Sequence, residues 1–118
     1  MIEQLVSRVF ATRNLAHLRH WSTDNFAEHM ALGEFYDEVI DAVDSLVEKY
    51  QGFYTKIGPV TIAAGSTPDN IITVLTADAL WINKNRSTIS KGNATLENFI
   101  DELEGVYLET LYKLRFLH

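Results

Sequence analysis

One long stretch of unbroken helical periodicity most constrains how this chain can fold. Between Asn25 and Gln51, apolar residues recur at intervals of three and four, the spacing that brings side chains to one face of an α-helix. Asn25 with Glu28 resembles a capping box, although Ser22 or Thr23 could cap the helix instead. Gly52 stands where a C-terminal cap belongs. The pattern predicts a helix roughly 40 Å long at about 1.5 Å per residue. The residues of its core face are Leu32, Phe35, Tyr36, Val39, Ile40, Val43, Leu46, Val47 and Tyr50.

Three further helices are predicted around this one. Residues 53–66 interrupt the helical period and predict an ordered crossover, because parallel helices need a connection that spans their length. Residues 85–93 have the composition of a turn. The sequence therefore predicts a single domain over residues 1–118, an all-α antiparallel four-helix bundle with an ordered crossover between helices 2 and 3. The three helices are expected over about Ile2–Trp21, over Pro68–Lys84 after Thr67, and over Leu96–Phe116 after Thr95 as the cap.

The charge balance argues against a nucleic-acid partner. Ten Lys and Arg residues stand against 16 Asp and Glu residues, giving a formal net charge of −6. A negative surface repels phosphate backbones. Lys84, Arg86 and Lys91 form a short basic cluster, which we interpret as part of a solvated loop. We expect no nucleic acid to bind.

The residue types present exclude several kinds of site. The chain has no cysteine, so disulfides, thiolate metal sites and cysteine nucleophiles are excluded. Met1 leads directly into an amphipathic pattern, which is not typical of a signal peptide. No apolar run approaches the length that spans a membrane. We therefore expect a cytoplasmic protein without a membrane partner.

The residues that could carry chemistry are histidines and carboxylates on the first two helices. His20 and His29 flank the first turn and lie toward the core sides of their helices, while Asp37, Asp44 and Glu48 share one edge of the second helix. Imidazole and carboxylate ligands together suit iron, manganese or zinc. Helical bundles build di-metal sites from inward-facing Glu and His residues. The pattern indicates a candidate metal site.

The same residues carry a resemblance to a known family over about residues 10–52. A His-Trp pair ends the first helix, a second histidine opens the next, and an Asp-x-x-x-Glu motif followed by a glycine lies further along that helix. This pattern resembles the DNA-protection-during-starvation (Dps) mini-ferritins of the ferritin-like superfamily. The residues that carry it are His20, Trp21, Phe26, His29, Asp44 and Glu48.

The resemblance implies a ferritin-like fold and a metal site shared between subunits. His20 and His29 would come from one chain, and Asp44 and Glu48 from its partner. Such a site binds ferrous iron, or another divalent transition metal, and passes electrons from iron to peroxide or dioxygen. The chain would then be a ferroxidase and a homo-oligomer, since the family assembles hollow cages.

Helix 1 carries a second feature that fits an oligomer. Ala11, Leu15 and Leu18 form an apolar stripe on the side away from its main core face, and a helix apolar on two sides packs against more than its own bundle. The chain also departs from the family. Gly33 stands one turn after His29, where the family carries an acidic ligand, and no lysine-rich tail is present. DNA binding is therefore not expected.

Two alternatives to the iron site remain open. An acidic stripe beside an apolar face is also the ordinary solvated margin of an amphipathic helix, so the chain could be a bundle with a structural or adaptor role and no metal site. The other alternative is a four-helix module that binds a small ligand or a partner helix in a pocket of several hundred Å³. Its lining would be Trp21, Trp81, Tyr36 and Tyr107.

Overall fold

The structure, a computed structural model, describes all residues from Met1 to His118 and contains four helices and no strand. The predicted all-α architecture is confirmed. The helices are α1 (Ile2–Ser22), α2 (Phe26–Phe53), α3 (Ile71–Ser90) and α4 (Ala94–Phe116).

The helices pack as a bundle in which every neighbouring pair is antiparallel. α1 packs against α2 and α3, and α4 packs against the same two helices. Short turns join α1 to α2 and α3 to α4, while Lys113 late in α4 binds Glu34 early in α2 at 2.6 Å. α2 and α3 therefore run parallel on the diagonal. The bundle therefore has two short turns and one long crossover connection.

The crossover, residues 54–70, follows α1 from one end of the bundle to the other. The backbone N–H of Gly58 donates to Glu3 at 2.8 Å, and this bond lowers the pKa of the Glu3 carboxyl. Further along, the Ser7 hydroxyl donates to the carbonyl of Thr61 at 2.6 Å. Gly65 then packs against the side chain of Leu15. Leu15 in the second stripe of α1 is thus partly covered by the chain's own crossover.

The start of α2 was predicted correctly, and its end was not. The Asn25 side chain accepts the backbone N–H of Glu28 at 2.8 Å and caps the helix, but the box is not reciprocal, because the Asn25 N–H donates to the Thr23 hydroxyl. The helix continues through Gly52 to Phe53, and Tyr54 caps it. Gly52 therefore does not act as the cap, and helical hydrogen bonding persists because Tyr54 N–H reaches the carbonyl of Tyr50.

In the second half of the chain, three helix boundaries differ from those predicted. α3 begins at Ile71 with Asn70 as its cap, not near Pro68, because the Asn70 side chain accepts two backbone N–H groups. It also continues to Ser90, so most of the predicted turn over residues 85–93 is helical. Lys91 and Gly92, both with positive φ, make the actual turn. Asn93, not Thr95, then caps α4.

The core runs the length of the bundle and draws on all four helices. Phe35 of α2 and Tyr107 of α4 are its largest fully buried side chains and meet edge to face, with ring centroids 5.1 Å apart. The other fully buried core residues include Leu5, Leu32, Leu46, Ile71, Leu75, Ile82, Ile89, Leu96, Ile100 and Leu103.

None of the helices combines the length and apolar composition needed to cross a membrane.

Candidate metal centre

His20 and His29 form a stacked imidazole pair where α1 turns into α2. Their ring centroids lie 3.7 Å apart and the ring planes differ by 16°. His20 Nδ1 lies 2.6 Å from the carbonyl oxygen of His29, and His29 Nδ1 lies 2.8 Å from the carbonyl oxygen of His20. The helix hairpin thus ties each ring to the backbone of the other helix.

These reciprocal bonds decide which nitrogen of each ring is available. A carbonyl oxygen can only accept, so Nδ1 of both His20 and His29 carries a hydrogen and donates it. In the neutral ring, Nε2 then holds the lone pair. No side-chain nitrogen in the chain is buried without a hydrogen-bond partner, and neither Nε2 has a partner within the chain, so both reach the surface. Metal-binding histidines are oriented in this way, with the other ring N–H held by a carbonyl or carboxylate.

Gly33 allows His20 to take this position. A Cβ atom on Gly33 would lie 3.0 Å from Cε1 and 3.3 Å from Nδ1 of the His20 ring. Any side chain there would meet the imidazole. Gly33 therefore leaves room for the His20 ring.

A second set of rings surrounds the pair. His17 stacks on Tyr36 at 4.0 Å between centroids, and Trp21 lies 4.3 Å from His17. The Arg13 guanidinium also lies over Tyr36. Partial burial lowers the pKa of His17, and the nearby charges of Arg13 and His20 lower it further. The sequence pattern assigned no role to His17, whose position here supports the first turn.

Asp44 and Glu48 lie on the exposed outer side of α2 and have no ion-pair or hydrogen-bond partner within the chain. Asp44 follows His29 by fifteen residues of continuous helix, which separates them by roughly 22 Å at about 1.5 Å per residue. The chain by itself contains no group of three or more histidine and acidic side chains close enough to share a metal ion. A single copy therefore presents the imidazoles and the carboxylates apart.

An apolar groove of about 360 Å³ adjoins Asp44. It lies between α1, α2 and the crossover, and Asp44 is its one charged residue. The four aromatic residues expected to line a pocket do not share one, because Tyr107 is fully buried and Trp21 is 68 % exposed. The apolar lining of the groove is Val6, Phe10, Ile40, Val43, Val47, Ile57, Val60 and Ile62.

A buried carboxylate at mid-bundle was missed by the sequence reasoning. Asp78 of α3 is 4 % exposed and accepts hydrogen bonds from Arg8 at 2.8 Å, from the Tyr107 hydroxyl at 2.8 Å, and from Thr12. Burial, followed by the adjacent Asp78 charge, raises the pKa of Tyr107. The signal was present, because Asp78 falls three residues after Leu75, on the core face of α3.

The prediction that Lys84, Arg86 and Lys91 belong to a solvated loop is wrong, because Lys84 and Arg86 lie in a helix. Arg86 lies within α3 and forms ion pairs with Glu97, Asp101 and Glu104 of α4. Hydrogen bonds to Asp101 and Glu97 raise the pKa of its guanidinium above the ordinary value. The arginine joins two helices.

Residues 20–114 match a family model described as "Family of unknown function (DUF5856)", which covers most of the chain. The chain therefore belongs to this family. No curated protein and no solved structure matches it significantly.

Proposed function

We propose that two copies of this DUF5856 family member share a site that binds ferrous iron or a similar divalent transition metal. His20 and His29 of one copy and Asp44 and Glu48 of the other supply the ligands. The observation that carries this proposal is the reciprocal bonding of the histidine pair. It leaves the Nε2 lone pair of each ring free and holds both rings in place before any metal arrives.

The chemistry of the donors supports the assignment. Two imidazole nitrogens with two carboxylates make a set that suits iron, manganese or zinc. Asp44 and Glu48 are one helical turn apart, so both can reach one ion from the same side of α2. Because neither carboxylate is occupied by an intrachain cation, binding a metal does not require an existing ion pair to break.

A two-fold contact through the outer face of α2 would bring the imidazoles of one copy to the carboxylates of the other. If two copies of α2 pack antiparallel about an axis beside residues 36 and 37, His29 lies opposite Asp44 of the second copy, and His20 accompanies it through the stacked pair. The same register sets Phe26, which is 76 % exposed, opposite Val47 in the second copy's groove. Apolar contact would then hold the ligands together.

The resemblance adds a reaction to this binding site. Ferrous iron would be the substrate, and each ion would lose one electron to dioxygen or peroxide and become ferric. The protein would hold one or two metal ions beside the imidazole pair. The contact between the subunits would exclude bulk water from the site.

The test combines mass, metal content and oxidation. We expect sedimentation to show a dimer or larger assembly and anaerobic ferrous titration to saturate, with absorbance from ferric iron after air is admitted. The variant His20→Ala/Glu48→Ala should bind at least about 100-fold more weakly. Glu38→Gln, an exposed acid of α2 outside the proposed set, is the matched control and should behave as wild type. A protein that is monomeric with metal present, or a double variant that binds as well as wild type, would overturn the proposal.

Gly33→Ala is expected to weaken metal binding without removing a ligand. The added Cβ would displace the His20 ring, which its hydrogen bond and its stacking on His29 hold in place. We expect a loss of about 10-fold in Co²⁺ or Zn²⁺ affinity by calorimetry, the size seen when a ligand's supporting contact is removed. Gly52→Ala, with no neighbouring atom within 4 Å, is the control and should leave affinity unchanged. Unchanged affinity in Gly33→Ala would show that the ring position does not matter for binding.

A second candidate function is an interaction or structural role without a metal. The exposed Trp21 and Phe26 beside the first turn, together with Gly33 in place of an acidic ligand, favour it. In that case the chain would assemble equally well in the presence of a chelator. The His20→Ala/Glu48→Ala variant would also keep the mass of wild type.

A further inference from the structure

The apolar groove beside Asp44 has the size and the lining of a small-ligand site. Its volume is about 360 Å³, within the range of roughly 300–1,000 Å³ that ligand sites occupy in proteins. Eight of its nine lining residues are apolar, and they come from α1, α2 and the crossover. Along α2 the groove extends from Ile40 to Val47, roughly 10 Å at about 1.5 Å per residue. It can therefore accept a short alkyl chain or a single aromatic ring.

Hydrogen bonds fix the one wall of the groove that is not helical. The crossover supplies this wall, in which Ile57 and Ile62 lie. The backbone N–H of Ile57 donates to the Gln51 side chain of α2 at 3.0 Å. The carbonyl of Thr61, next to Ile62, accepts the Ser7 hydroxyl of α1 at 2.6 Å. Because the crossover is attached to both helices, little conformational entropy is lost when a ligand enters the groove.

The charge at the groove decides which end group a ligand needs. Asp44, which has no ion-pair partner within the chain, is the only charged residue in the lining. Asp41 and Glu48, both exposed, lie about one helical turn from Asp44 in either direction. These negative charges, and the net charge of −6, attract a cation and repel a carboxylate. The groove therefore complements an apolar body that carries an ammonium group, and it disfavours a fatty acid.

We propose that this groove binds an amphiphilic organic cation, a primary ammonium group on an alkyl or aryl body. The body lies against Val43, Val47 and the crossover, and the ammonium group donates to the Asp44 carboxylate. Removal of the apolar body from water supplies most of the affinity. The ionised carboxylate selects the head group, because a hydrogen bond between two charged groups is stronger than one between neutral groups.

This site goes beyond the proposed metal site and does not rest on it. One copy of the chain contains the whole groove, whereas the metal ligands of one copy lie apart. The two uses exclude each other, because an ammonium group and a metal ion would compete for Asp44. Phe26 of a second copy would likewise compete with the ligand for the apolar wall. The ammonium proposal therefore concerns the metal-free protein, and a chelator in the experiment separates it from the metal proposal.

Calorimetry with n-octylamine, 1-octanol and octanoate in a chelator tests the head-group preference. The three probes share a chain length, and at pH 7 they are cationic, neutral and anionic. Octylamine should bind about 5-fold more tightly than octanol, the upper size for an exposed ion pair, and octanoate should bind most weakly. Asp44→Asn should remove the preference for octylamine, and Asp41→Asn, the matched control on α2, should keep it. A preference that survives in Asp44→Asn, or equal binding of all three probes by wild type, overturns the proposal.

Methyl NMR of the same metal-free protein locates the bound octylamine. The probe should shift the signals of the three isoleucines in the groove, Ile40, Ile57 and Ile62. Ile89, buried in α3 outside the groove lining, should not shift. Equal shifts at all four would show non-specific binding and contradict the proposal. Groove shifts that appear on raising the protein concentration without octylamine, and that disappear in Phe26→Ser, would assign the groove to a second copy instead.

Discussion

Asp78→Ala is expected to lower the free energy of unfolding by about 3 kcal/mol or more, the size seen when one member of a buried polar network is removed. Asp78 receives hydrogen bonds from α1 and α4 while itself belonging to α3. Its removal leaves the hydroxyls of Thr12 and Tyr107 buried without an acceptor. Each such group costs roughly 1–3 kcal/mol. The Arg8 contact adds little, since the Arg8 side chain is 39 % exposed and screened by water.

The loss in free energy of unfolding distinguishes a contribution of the hydrogen-bond network from one of apolar packing alone. Urea denaturation followed by circular dichroism measures it directly. Asp78→Asn keeps the volume and one acceptor, so it should lose less than Asp78→Ala. Tyr107→Phe removes only one donor and should lose about 1–2 kcal/mol. A loss below about 1 kcal/mol for Asp78→Ala would mean that water takes the place of the carboxylate, and that the network does not hold the three helices together.

Two variants that cannot bind metal alone are expected to regain binding when mixed. His20→Ala/His29→Ala lacks the imidazole half of the proposed site, and Asp44→Asn/Glu48→Gln lacks the carboxylate half. Each alone should lose at least about 100-fold in affinity. After unfolding and refolding together in equal amounts, about a quarter of the wild-type sites should return, because half of the dimers are mixed and each mixed dimer holds one complete site of two.

This mixing experiment distinguishes a shared site from two independent ones. The histidine variant mixed with His20→Ala has no complete pair in any combination and serves as the control. Calorimetry with Co²⁺ or Zn²⁺ avoids iron oxidation during the measurement. If the mixed sample binds no more metal than its two components measured separately, the ligands do not come from neighbouring copies.

The sequence predicts the helices themselves because their signals are local. The apolar spacing along α2 and the Asn25 cap depend only on residues within a few turns of each other, and both are found in the structure. The errors in α3 and α4 occurred where several caps were equally suitable. Thr67 and Asn70 are both suitable N-caps for α3, and Asn93 and Thr95 are both suitable N-caps for α4.

Contacts distant in sequence decided the end of α3. Residues 85–90 have a turn-like composition, yet they are helical. Arg86 is held by three carboxylates of α4, and the Ser90 carbonyl accepts the Tyr54 hydroxyl at 2.9 Å. Such tertiary contacts outweigh the weak intrinsic preference of a few residues. No local pattern contains that information.

The candidate site also depends partly on local sequence and partly on tertiary packing. The sequence alone determined that the chain forms four helices and that His20, His29, Asp44 and Glu48 lie where they do along the first two, since helical spacing sets those positions. Only the tertiary structure decided that the imidazoles stack, that Gly33 gives them room and that Asp78 is satisfied inside the bundle. These features need helices brought together from distant parts of the chain. Their geometry depends on how the helices pack, which periodicity within one helix does not specify.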